Sequence, residues 1–304
     1  MDGIYTNFYR NFYRRTDGFI PAKPLNLNLY PGDFFQIKNG EIIILGNIYR
    51  NNIIQDIELT TAIHLNPSGW SFSDGVTKPY SGRSNGYGAI EGQFEYSKQI
   101  LSFADKGSFL FKAESPESVK INNWNEIQQQ LIIKLTQTIY SFRELYLVTE
   151  SATTANSTLV IASNTGAELE IASDTENFGL VDIFGHHTAK TIQSREIEYY
   201  HREEKRKPSF FKAKKLIVQD EKLEVFISDL ITKAMNTSEW ANNFFEYEFH
   251  HDAIYYPPIK QNTQASLLDM LQANELNPNT ALLYFKWSDA NLDDVEKLFQ
   301  SYGN

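Results

Sequence analysis

Between residues 89 and 173 the chain is written in strand-length, two-faced segments, and a single helical pattern interrupts them. In "AIEGQFEYSKQILSFAD" (89–105), Ile90, Phe94 and Tyr96 share one parity while Glu91, Gln93 and Glu95 take the other. That is the alternation of a half-buried strand. "SFLFKA" (108–113) follows a turn at Lys106-Gly107. The interruption is "NNWNEIQQQLIIKLTQTIYSF" (122–142), where Trp124, Ile127, Leu131, Leu135 and Ile139 recur at spacings of three and four. Asn122 or Asn123 is placed to cap it, with Glu126 in the first turn. One helix set among strands lacks the strand–helix alternation of a parallel sheet, so the class is α+β. The expectation is a twisted antiparallel sheet with a packed central helix, a basic N-terminal helix and a helical C-terminal segment.

The remaining segments fill in this plan. "DFFQIKNGEIIILGNIY" (33–49) is two apolar runs around Asn39-Gly40, a strong hairpin signal. "NPSGWSFSDGVTKPYSGRSNGYG" (66–88) reads as a loop, rich in Gly, Ser and Pro. Residues 144–173 read as three strands with turns at Thr154–Asn156 and Asn164–Gly166, and 195–201 and 210–226 as further strands. Beyond 226 the patterns are helical, at 224–245, 265–276 and 288–302. This divides the chain into a domain over 1–226 and a helical segment over 227–304.

Composition narrows the chemistry. The 304 residues include no cysteine, which excludes disulfides, thiolate metal sites, cysteine nucleophiles and palmitoylation. No apolar run approaches the ~20 residues of a membrane-spanning helix, and the N-terminus turns basic and aromatic where the apolar core of a signal peptide would begin. A net charge of −10 argues against a nucleic-acid partner. No hydrolase, nucleotide-binding, dinucleotide-binding or metalloprotease motif is present. His250, His251 and Asp252 are adjacent, a poor geometry for one ion, so neither cofactor nor metal is expected.

Charge is unevenly distributed. Residues 201–215 carry +5 and residues 251–304 carry −4. A basic segment and an acidic tail can pair within one molecule, or both can be solvated. At the other end, "NFYRNFYRR" (7–15) stacks Phe8 on Phe12 and Arg10 on Arg14 at helical spacing, with Arg15 beside them. Such a helix can bury its rings in a core, or lay them and its arginines on an acidic membrane surface.

"LYLVTESATTANSTLVIAS" (145–163), a strand that follows a helix and leads into alternating small and apolar residues, resembles the gasdermin pore-forming domain. The order of segments around it agrees over roughly residues 1–220. The resemblance implies an N-terminal lipid-contacting helix, with Arg10, Arg14, Arg15, Phe8 and Phe12 in that role. It implies a second basic patch from Lys205, Arg206, Lys207, Lys212, Lys214 and Lys215. Membrane-inserting strands would lie in 90–113 and 145–173, carrying Phe94, Tyr96, Leu101, Phe103, Leu147, Leu159 and Ile161. Such a strand crosses a bilayer in about 9–11 residues. The chain departs from many bacterial gasdermins in lacking an N-terminal cysteine that could be lipidated.

The function this resemblance implies is an inducible pore former, non-enzymatic, cytoplasmic until activated, and acting in cell death and antiphage defence. Its partners would be an activating protease, acidic membrane lipid and, after activation, further copies of itself. The narrow apolar stripe of Leu292, Val295, Leu298 and Phe299 would make the C-terminal helix autoinhibitory, or would simply close the core. Cleavage is expected in the proline-containing linker, after Lys260. A non-lytic binding or scaffold subunit, or an enzyme with a site assembled only by the fold, fits the same composition.

Overall fold

The computed structural model describes residues 3–88, 92–136, 145–173, 190–222, 225 and 278–299. Every strand pairing among them is antiparallel, in an α+β arrangement. The body is an eight-stranded sheet. Its spine runs β1 (Ile20–Pro21), β15 (Phe210–Val218), β10 (Tyr146–Thr153), β2 (Asp33–Lys38) and β3 (Glu41–Asn47). Strands β2 and β3 turn at Asn39-Gly40, both at positive φ, as the hairpin signal predicts. Helix α2 (Trp124–Thr136) packs on this sheet: Ile127, Leu131 and Leu135 meet Phe34, Leu145, Leu147 and Leu216. Asn123 does not cap it through its side chain, which instead accepts from Glu58 N–H and donates to Asp56 C=O.

The second feature is a ribbon of two long hairpins. One leg is β5 (Ser71–Asp74) continuing into β6 (Val76–Gly88), and the next is β7 (Gly92–Phe103) continuing into β8 (Phe109–Glu114). The second hairpin runs up β11 (Asn156–Ala162) and β12 (Ala167–Ser173), then down β13 (Lys190–Arg195) and β14 (Ile197–Glu203). The two are neighbours through β8 on β11 and β7 on β12. All four legs are interrupted at one level, so the ribbon forms two four-stranded sheets. Backbone hydrogen bonds nevertheless cross the interruption: Ala104 N–H to Gly75 C=O at 2.8 Å, Gly107 N–H to Ala162 C=O at 2.9 Å, and Ser163 N–H to Glu196 C=O at 2.9 Å. It is therefore one kinked ribbon. Gly75 is required at the kink, because its φ is +66° and an added Cβ would lie 2.2 Å from Ser108 Oγ.

Three expectations are corrected here. Residues 66–88 are not a loop but supply β5 and β6. Leu147 lies in β10, which pairs with β15, β2 and β9 (Glu117–Lys120) and belongs to the body, so the second hairpin begins at β11. The C-terminal segment is not wholly helical: α3 (Pro278–Tyr284) leads into β16 (Phe285–Asp289), which pairs with β15, before α4 (Leu292–Lys297). The patterns at 224–245 and 265–276, the boundary at 226, His250, His251 and Lys260 lie outside the described residues.

Candidate functional site

Helix α1 (Gly3–Arg15) lies between the body and the ribbon. Phe8 and Phe12 are fully buried. Phe8 packs edge-on to Phe109 of β8, and Phe12 stacks on Phe210 of β15 with ring centroids 5.0 Å apart. They are core side chains in this conformation, not lipid-facing ones. The aromatic stripe follows the first of the two options that its spacing left open. Tyr9 is also buried and donates to Ala22 C=O at 3.0 Å, while its burial pushes the phenol pKa far up. The arginines occupy the other face. Arg10 and Arg14 are exposed, and Arg15 rests over the Phe72 ring at 5.1 Å.

The C-terminal segment closes over this helix. Val295, Leu298 and Phe299 are buried in the same core as α1, and Leu292 is half-buried. Phe299 stacks on Tyr5 and meets Tyr9 edge-on at 4.7 Å. Lys23 reaches the Leu298 carbonyl, and the Phe299 ring lies 4.5 Å below its ammonium. The β2–β3 turn approaches so closely that a Cβ on Gly40 would stand 2.9 Å from Leu298 O.

Electrostatics join the same partners. Glu296 pairs with Arg10, Asp289 with Lys214, and Asp294 with Lys215 at 3.0 Å. Asp294 is 1% exposed and also accepts from Tyr146 Oη at 2.8 Å and from Asn291 N–H at 2.8 Å. Burial alone would raise its pKa, but the hydrogen bonds from Asn291, Lys215 and Tyr146 prevail and hold it below the usual carboxylate range. Three cations of the two expected basic patches thus face three acids of the tail. Three other members of the second patch also have acids nearby. Lys212 lies near Asp17 and Glu150, Lys207 pairs with Glu203, and Arg206 pairs with Glu117 at 3.0 Å. Lys205 is exposed.

The side chains expected to insert into a membrane divide between two cores. Leu159 and Ile161 point into the core that holds α1. Leu101 and Phe103 join Val160, Leu169 and Ile171 in a separate cluster on the ribbon. Strand β11 is therefore buried on both faces, whereas β12 alternates, with Glu168 exposed and Glu170 paired to Lys98. Phe94 and Tyr96 pair through their backbones with Gly86 and Ser84, and their side chains lie outside the described residues.

Sequence reasoning did not single out Asp294, which turns inward. The available signal was Asn291 three residues before Asp294, a capping box that folds the carboxylate back onto the helix start. No helix among the described residues is long and apolar enough to cross a membrane, and no group of three or more metal-ligating side chains is found there.

No family model and no curated protein matches the chain. Among solved structures it is similar to a bacterial gasdermin from Bradyrhizobium tropiciagri, at 9% identity and a TM-score of 0.27, over 64% of this chain and 80% of that one. The likeness is distant and sets no correspondence between individual residues.

Proposed function

We propose that the chain is an inducible membrane pore former, non-enzymatic and held in a soluble form by its C-terminal segment. The observation that carries this reading is the kinked ribbon of two adjacent hairpins. Its legs, 71–88, 92–114, 156–173 and 190–203, each exceed the about 9–11 residues that a strand needs to cross a bilayer. An antiparallel sheet can enter lipid only when it closes with copies of itself, so that every backbone group is paired. Oligomerisation is therefore part of the proposal.

The docked tail supports the second half of the reading. Glu296, Asp289 and Asp294 sit on Arg10, Lys214 and Lys215, so removing the segment would release these cations from the tail acids, each worth about 1 kcal/mol near an anionic bilayer. It would also uncover Tyr5 and Tyr9. Proteolysis in 258–264 followed by loss of the tail would start the change, with acidic lipid as the target, relocation from cytoplasm to membrane, and cell death as the outcome.

The test is dye release from acidic liposomes by protein carrying an engineered protease site in 258–264. Cut protein should release dye and uncut protein should not. Silence from both, with the cut protein still folded, removes the proposal and leaves a non-lytic binding role ahead.

A further inference from the structure

The body sheet is forked. Along one side, β10 pairs with β2 at Tyr146 and Leu147, then with β9 from Glu150 to Thr153. Where one neighbour leaves and the other arrives, a cleft of about 610 Å³ opens, within the range of small-molecule sites. It lies on the opposite side of β10 from β15 and its tail strand β16. Its floor includes Ser151 and Thr153 of β10 and Val119 of β9. The rim carries Tyr30, Tyr49 and Leu59, which are 42%, 64% and 52% exposed. Large apolar side chains left in water around one concavity mark a binding surface.

Charge limits what can occupy it. Two guanidinium groups border the cleft, Arg50 and Arg206. Arg206 is neutralised by Glu117 at 3.0 Å and anchored on Ser115 C=O. Arg50 rests over the Tyr30 ring at 5.4 Å and makes no salt bridge among the described residues. The acid nearest to it in effect, Asp33, is buried and already accepts from Tyr30 N–H and Asn47 Nδ2. One positive charge over mostly apolar walls matches a ligand with one negative charge and an apolar body.

We infer that this cleft binds a small monoanionic amphiphile, its carboxylate on Arg50 and its apolar body between Tyr49, Leu59 and Val119. The site is independent of pore formation and is read on the intact chain. The probe is dansyl-undecanoate, followed by fluorescence at neutral pH, with its methyl ester as the uncharged control. Wild-type protein should bind one probe per chain, saturably and with a blue shift. The ester, Arg50→Gln and Leu59→Asp should each weaken binding about tenfold, the scale of a lost charge-assisted hydrogen bond or a lost apolar wall. Both substitutions are at exposed positions, so the melting temperature should move by no more than a few degrees. Equal binding of acid and ester by wild-type protein overturns the inference without any variant. So does probe binding that both substitutions leave unchanged. Loss of binding to anionic vesicles in Arg50→Gln, with probe binding intact, would make this face a membrane contact and also overturn it.

Discussion

Asp294 holds a negative charge with almost no exposed surface, and each of its oxygens is occupied. Removing one partner of a buried pair leaves the other charge uncompensated, at a cost of roughly 3–5 kcal/mol. Lys215 keeps some solvent access, so Asp294→Ala should cost the lower part of that range and shift the urea midpoint down. An unchanged midpoint would show that the tail is held by its apolar side chains alone. The pH dependence has a definite sign. The folded pKa of Asp294 is depressed, so its stabilisation is present above the unfolded value and is lost as pH falls through the folded one. Tail docking should therefore persist into mild acid. His201 behaves differently. Burial lowers its pKa, with Glu203 opposing and Lys207 adding to the effect, and its ring stacks near Tyr199. The unfolded chain binds more protons below about pH 6.5, so stability falls as pH drops through that value. The melting temperature should decline between about pH 7.5 and pH 5.5, and His201→Gln should flatten the decline. A decline of the same size in the variant would place its origin in another group.

At the scale of the element, α1 shows what spacing can and cannot say. The repeat of NFYR established the helix and its stripes, but core and membrane call for the same stripe. Only the tertiary neighbours decide, and here Trp70, Phe111 and Phe210 surround Phe12. Phe12→Ala should cost about 3–5 kcal/mol in urea denaturation, as for a buried aromatic removed from a close-packed site. A loss below about 1 kcal/mol would mean that α1 is only loosely seated. Strand β6 was illegible for a physical reason. It is the edge of its sheet, where Pro79 sits in a register shift between Thr77 and Tyr80 and glycines are tolerated. Its composition therefore resembles a loop. The helix α2 and the Asn39-Gly40 hairpin were readable, because α2 carries a one-sided apolar stripe and the turn carries its own residue signal. Strand β16 was not, since its five residues follow α3 directly and carry no turn signal.

At the scale of the molecule, the described residues form three apolar clusters, and the tail contributes to two of them. Val295, Leu298 and Phe299 complete the cluster around α1. Ala281, Tyr284 and Phe285 join the one under α2, where Trp287 also packs edge-on to Trp124. The third cluster lies within the ribbon itself. This division leaves the third cluster untouched when the tail departs, and departure of the tail is the central claim of the proposed function. Strand β16 provides the means to test it. Ile217 and Lys286 are direct antiparallel partners, at a spacing that a disulfide can bridge, and the chain has no cysteine of its own. Ile217→Cys with Lys286→Cys would tether the tail to β15 after the linker in 258–264 is cut. Dye release from acidic liposomes by this cut protein is then compared with and without reductant. The account predicts silence while the disulfide is intact and release on reduction. Equal release in both states, or none in either, would contradict it.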